Sequence, residues 1–388
     1  MNQQKGSFSA IEFTLAVFCF VHGTVLRSGY IISITRQDSW ITAIFAFFAS
    51  LIPVAIYGAL MKKYPGRSLA EINELVFGRI VGKIFTGLYF FFFLSLTALN
   101  TRDAGNFVTG YTMPETPLKA ISVFFLFACA YAVKKGIHHL IELAPLIFTV
   151  TVTTMVFYSV LSLKDADFDY LLPILRQEPV KYVQGTLTLA AVPKCEILSF
   201  MMLAPMLKEN KKAGKCLVLG LVLSTLGSIS VMLRDTTILG PLVSVVSLPT
   251  FESIRYTTTL SNLLSRLESL YAIVLVLLYL FKVSVLLYAT VASLEQIFAP
   301  QKVDALPFHA EHPLGKPEPS SSPPLLFILT ALVLFYSNTV FESVTENMNW
   351  AATTAPFFSL TFEFLLPAVT LLVAVLRGVG RKKAEVPA

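Results

Sequence analysis

The sequence predicts an all-α integral membrane protein with about ten transmembrane helices, and three observations carry this prediction. Of the 388 residues, 55% are hydrophobic and only 14% are charged, whereas a soluble domain has about 25% charged residues. Ten separate stretches are apolar and long enough for a crossing, which takes about 20 residues in an ordinary bilayer. The first and sixth stretches are interrupted near their middles, as in transporters built from two inverted repeats.

We number the predicted crossings span one to span ten in chain order. They lie near residues 10–34, 40–61, 80–108, 118–133, 141–163, 182–207, 215–239, 267–298, 324–342 and 357–376. Lys and Arg are roughly twice as frequent in one set of alternating loops, a set that includes both chain ends. Because positive residues favour the cytoplasmic side, we expect both termini there.

The whole chain, 1–388, is predicted to be one polytopic membrane domain, with repeat one near 10–163 and repeat two near 182–376. The Pro- and Ser-rich segment 299–324 is typical of a disordered cytoplasmic loop, and 377–388 is a short basic tail. The stretch 240–264 is long for a loop and too polar to span. It predicts a short helix lying across the outer mouth of the bundle.

Span six has the most informative sequence, because Pro193, Lys194 and Glu196 stand together at its middle. Proline has no N–H to donate and clashes with the preceding turn, so the helix should break or kink there. Charged side chains at bilayer depth are costly and usually mark a functional interior. The alternative is a kinked helix whose Lys194 and Glu196 pair with neighbours for structural reasons alone.

Span one is interrupted at the matching position of the first half, around His22, Gly23, Thr24, Arg27 and Gly29. Two interrupted spans in corresponding places point to a ligand site near the bilayer midplane. The alternative is that the two glycines only allow close packing of helices.

Span eight carries Lys282 about 15 residues from its start, near the midplane. A lysine that deep cannot easily extend its ammonium group to the interface. We therefore expect it to face a cavity or a carboxylate such as Glu196.

Several kinds of chemistry are not expected. The sequence has no phosphate-binding loop of the GxxxxGK[ST] type and no HExxH motif, so an enzyme is a poor interpretation. The spacing of the four cysteines and five histidines predicts no disulfide, metal site or cofactor. The net charge of +6 is explained by membrane topology, so no nucleic acid partner is expected, while the basic turn 208–215 can contact membrane lipid.

A set of short motifs in a fixed order resembles the B subunit of spore germinant receptors, a family in the amino acid–polyamine–organocation transporter superfamily. The likeness covers roughly residues 8–300. The motifs are Asp38-Ser39-Trp40, Tyr64-Pro65-Gly66-Arg67-Ser68-Leu69, Phe77-Gly78, Val81-Gly82, Thr101-Arg102, Thr116-Pro117, Pro249-Thr250-Phe251-Glu252-Ser253-Ile254-Arg255 and Ser265-Arg266-Leu267-Glu268-Ser269.

The resemblance implies a ten-helix, five-plus-five inverted repeat (LeuT-like) in the inner membrane of an endospore. It implies that the chain senses a small nutrient, often an amino acid, beside an A and a C subunit. The family's pocket lies between spans one, three, six and eight. The matching ligand-binding positions here are Gly23, Thr24, Phe92, Leu96, Pro193 and Lys282.

The sequence departs from the family pattern in its intramembrane charges. Arg27 lies where relatives have small residues and proline, and Lys194 and Lys282 replace residues that are neutral in many relatives. Such a pocket can prefer an anionic ligand, or Glu196 can cancel the cations. The competing functions are an ion-coupled secondary transporter of amino acids or related solutes and a membrane scaffold without a ligand.

Overall fold

The structure, a computed structural model, describes residues 7–25, 29–259, 268–298 and 323–378. Within these ranges the chain is almost entirely helical, and the β-structure consists of one isolated bridge between Phe8 and Leu207. Arg27, most of the predicted loop 299–324 and most of the tail 377–388 lie outside the described residues.

Helical segments occupy all ten predicted spans. They are Ala10–Val25 with Gly29–Thr35, Ser39–Lys63, Arg79–Phe107, Leu118–Lys135, Ala144–Ser162, Pro179–Met206, Ala213–Leu239, Glu268–Phe298, Pro323–Thr339 and Ala355–Leu376. In the described part of the chain, four further α-helices connect the spans or flank their ends, namely Leu69–Phe77, Ile137–Glu142, Pro249–Thr259 and Val344–Thr353.

Among the described residues, seven helices are long and apolar enough to cross a membrane, or eight if Pro323–Thr339 and Val344–Thr353 form one bent span. With the bent pair counted as span nine, the first and fourth predicted spans account for the difference between eight and ten. Span one consists of two shorter helices on either side of residues 26–28. Span four, Leu118–Lys135, has 18 residues and holds three lysines near its ends.

Close backbone contacts between helices hold the bundle together. Span seven runs against span one at Gly220, where an added Cβ would lie 2.6 Å from Val17 Cβ. It also crosses span two at Gly214, where an added Cβ would lie 3.0 Å from the Gly58 Cα. Glycine is needed at these crossings because any side chain would push the helices apart.

We call the end of the bundle that holds Phe8 and Leu207 the basal end, and the opposite end the distal end. At the basal end the helix Leu69–Phe77 begins at a capping box, in which Ser68 and Glu71 bond each other's backbone N–H groups. Lys63 donates to the carbonyl of Ala374 at 2.6 Å, so spans two and ten are joined there.

Candidate functional site

Span six changes its helical type at the predicted interruption and stays helical throughout. It is α-helical over Pro179–Leu189, forms one π-helical turn over Ala190–Lys194, and continues as a 3-10 helix over Cys195–Ser199. The π turn holds Pro193, which has no N–H to offer, and the N–H of Cys195 bonds the Ala190 carbonyl instead. The predicted break is therefore a local shift in hydrogen bonding, a form often found at functional sites.

Lys282 connects three spans inside the bundle. Its ammonium group forms an ion pair with Glu196 of span six and donates to the hydroxyl of Thr24 at the end of the first half of span one. It also lies 4.9 Å from the ring centre of Phe20. Lys282 is 0% and Glu196 2% exposed, so the pair is shielded from bulk water and from lipid.

Lys194 has a different environment, although it is only two residues from Glu196 and is also 0% exposed. Its ammonium group donates to the Thr225 hydroxyl of span seven at 2.6 Å. The two buried lysines therefore point to different neighbours, and the carboxylate of Glu196 is used by Lys282.

A small cavity lies next to the ion pair and extends toward the distal end. Its volume is about 40 Å³, room for a few waters at most. Thr24 and Glu196 lie at one end, Leu96 and Asn100 line it from span three, and Trp350 covers it from the distal side. In this conformation, which we call the closed state, the cavity is smaller than an amino acid.

The sequence-predicted pocket residues are divided between this cavity and its supporting layer. Thr24 and Leu96 line the cavity, and Lys282 holds the two residues at its deep end. Gly23 packs on Leu278, and a Cβ added at Gly23 would lie 3.4 Å from the Leu278 Cβ, an ordinary contact distance. Phe92 faces away from the cavity and stacks on Phe362 of span ten, with ring centres 4.7 Å apart. Pro193 is buried in the π turn next to Val192, which does line the cavity.

The helix Val344–Thr353, which we call the cover helix, closes the distal side of the cavity. Asn347 donates to the carboxylate of Asp103 in span three at 2.6 Å, and Gln184 of span six donates to the carbonyl of Ala352 at 3.2 Å. This helix was not predicted from the sequence. The pattern Ser343-Val344-Thr345-Glu346 was the available signal, since the Ser343 hydroxyl caps the helix at the Glu346 N–H.

The sequence predicts a short helix within 240–264, and the structure has a helix there. Pro249–Thr259 is helical, but it packs against spans five, seven and eight and contributes no residue to the cavity lining. Thr250 and Ser253 donate to the buried carboxylate of Asp235 at 2.5 and 2.7 Å, which anchors the helix to span seven.

Comparison with known proteins identifies relatives of the chain. The family model described as "Spore germination protein" matches residues 7–310. The chain belongs to the spore germination protein family. Spore germination protein KB of Bacillus subtilis (strain 168) is 26% identical over 367 residues, covering 91% of each protein. Spore germination protein YndE of the same strain is 25% identical over 183 residues, or 47% of this chain and 50% of YndE.

Solved structures of transporters share the fold of this spore germination protein. Mhp1, a nucleobase-cation-symport-1 family transporter in a closed conformation with bromovinylhydantoin bound, gives a TM-score of 0.65 at 13% identity, over 98% of this chain and 83% of Mhp1. The inward-facing conformation of Mhp1 gives 0.57 at 12% identity, over 99% and 82%. These matches confirm an all-α, multi-pass membrane transporter fold. Neither the family nor the fold is that of an enzyme.

Proposed function

We propose that this protein is the nutrient-sensing subunit of a spore germination receptor and that it binds a small molecule, such as an amino acid, in the cavity beside Glu196. The observation that carries the proposal is the position of Thr24 and Glu196. Both line the cavity and both bond Lys282. A molecule entering the cavity therefore meets the contacts that join spans one, six and eight.

Sensing requires two states with different affinities for the ligand. The closed state has a cavity of about 40 Å³, too small for a nutrient. In the second state the cover helix separates from Asp103 and the cavity enlarges. The ligand contacts Thr24 and Leu96 directly, while Gly23, Phe92, Pro193 and Lys282 shape and support the pocket.

The proposed setting is the inner membrane of an endospore, with both termini and the basal end on the cytoplasmic side. The proposed partners are the A and C subunits of the receptor, which read the change in this bundle. The basal contact between Lys63 and Ala374 supports a relay to such partners, since it joins spans two and ten.

Spores whose only receptor contains this chain test the proposal. We expect them to germinate in response to one or a few nutrients in a screen, and to lose that response when the chain is deleted. An unchanged response after the deletion would contradict the sensing role.

The second candidate function is ion-coupled secondary transport, which the likeness to Mhp1 favours through the shared fold. Proteoliposomes containing the purified chain separate the two functions. A receptor subunit should bind the nutrient identified by the spore screen without accumulating it, whereas a transporter should accumulate it against a gradient.

A further inference from the structure

Glu363 is a buried acid in span ten that the proposed sensing mechanism does not use. It is 0% exposed, and neither of its carboxyl oxygens has a hydrogen-bond partner among the described residues. The residue lies in a single π-helical turn, Thr361–Leu365. Such turns recur at functional sites because they shift side chains out of the regular helical register.

The interruption of span six lies against this turn. The Tyr57 hydroxyl of span two donates to the Glu363 backbone carbonyl at 2.5 Å and approaches the Cys195 carbonyl of span six at 3.4 Å. Tyr89 of span three interacts electrostatically with Tyr57. The Tyr57 hydroxyl therefore links the backbone of the π turn that contains Glu363 to the backbone of the interruption in span six.

The charged groups that face Glu363 leave it without a counterion. Glu196 repels its ionised form and Lys282 attracts it, but Lys282 is already engaged by Glu196, Thr24 and the ring of Phe20. Cys195 and Tyr57 are further titratable groups beside Glu363, and ionisation of either would add another negative charge. An ionised carboxylate without a partner in such an interior is far costlier than a neutral acid.

We propose that Glu363 is a proton-binding site and holds a proton in the closed state of the protein. A metal ion would need several protein ligands, and the described residues contain no group of three His, Cys, Asp or Glu side chains that could supply them. A proton needs only the carboxylate itself.

The same geometry couples this proton to the ion pair of span six. When Lys282 leaves Glu196, its ammonium group can neutralise Glu363 in place of the proton. The O–H bond of the Glu363 carboxylic acid then breaks, its carboxylate pairs with Lys282, and the proton passes to the Glu196 carboxylate that Lys282 has left. One positive charge replaces another at Glu363, so the charge at that carboxyl group is balanced throughout.

Infrared spectroscopy of the purified full-length protein in lipid tests the site without a nutrient. At about pH 7 an ordinary glutamate, with a pKa near 4.3, is ionised and has no carboxylic C=O band. We expect the wild-type protein to show such a band and Glu363→Gln, which preserves side-chain shape, to lose it. Glu178→Gln is the matched control, because Glu178 is exposed at the start of span six, and it should keep the band. Glu196→Gln frees Lys282 and should abolish the band while Glu363 is present.

Three results would overturn the proposal. They are a wild-type protein without the band, a band that persists in Glu363→Gln, and a band that disappears when Na⁺ or K⁺ is added at constant pH, which would identify a cation site. Absence of the band from the wild-type protein overturns the proposal even if a variant fails to fold. Because no germinant is involved, these outcomes are independent of the proposed sensing function.

Discussion

Lys282 of span eight forms an ion pair with Glu196 of span six inside the bundle, and neither side chain is more than 2% exposed. Glu196 belongs to the 3-10 segment that follows the Pro193 turn. The pair therefore fastens the irregular part of span six to a regular helix. Its strength sets how easily span six can move.

Lys282→Met is predicted to destabilise the protein strongly. The substitution keeps the length of the side chain but leaves the Glu196 carboxylate buried without its partner, which typically costs about 3–5 kcal/mol. We expect less of the protein in spore membranes, measured by immunoblot, and loss of the nutrient response. The double variant Lys282→Met with Glu196→Gln should recover most of the protein level. Equal losses in the single and double variants would contradict the importance of the pair.

Lys194→Met is the matched comparison for that experiment, since Lys194 is equally buried and lies in the same span as Glu196. Its hydrogen-bond acceptor is the Thr225 hydroxyl, which also donates to the Leu221 carbonyl. Removing the Lys194 ammonium group therefore leaves no buried carboxylate without its partner. We expect the free energy of unfolding of Lys194→Met to be roughly 2 kcal/mol higher than that of Lys282→Met. The protein level of Lys194→Met should therefore be closer to that of the wild type. A loss as large as that of Lys282→Met would show that Lys194 has a charged role that these contacts do not reveal.

Leu96→Phe is predicted to weaken nutrient sensing without lowering the protein level. The larger side chain projects into the cavity wall and reduces the space available to the ligand. We expect at least about a tenfold higher nutrient concentration for half-maximal germination, equivalent to 1.4 kcal/mol. Leu88→Phe is the control, because Leu88 is on the same helix and 40% exposed on its outer surface. An unchanged dose response in Leu96→Phe spores would remove Leu96 from the pocket.

Asn347→Ala should loosen the cover helix by removing its hydrogen bond to Asp103. A charge-assisted bond of this kind contributes about 1.5–3 kcal/mol. Hydrogen–deuterium exchange should therefore become faster across Val344–Thr353 while the rest of span three stays protected. Asn349→Ala, at an exposed position on the same helix, should leave the exchange pattern unchanged. If both variants exchange alike, the Asp103 contact does not hold the cover helix closed.

The sequence was most informative where membrane depth alone restricts a side chain. Lys282 was expected to face a carboxylate such as Glu196 because no lysine at the midplane can easily reach water, and the structure places the two together. Thr24 and Leu96 were assigned to the pocket through the family resemblance, and both line the observed cavity. Phe92 was assigned in the same way but stacks on Phe362, because its side chain points to span ten and not to span six.

Other features depend on packing that no local pattern specifies. Proline at position 193 predicts an interruption, but neighbouring helices decide whether the chain forms a π turn or an extended gap. The cover helix was not predicted, although Ser343 and Glu346 form a recognisable helix start. Glu363 stood in an otherwise apolar span, and the rule that intramembrane acids are functional candidates would have identified it.

Direct binding of a nutrient to the purified chain tests the sensing account most directly. The nutrient identified by the spore screen would be used in labelled form with wild-type, Leu96→Phe and Leu88→Phe protein. We predict saturable binding to the wild type and to Leu88→Phe, and at least about tenfold weaker binding to Leu96→Phe. Binding that is absent from the isolated chain, or equal in all three proteins, would contradict a nutrient site beside Glu196.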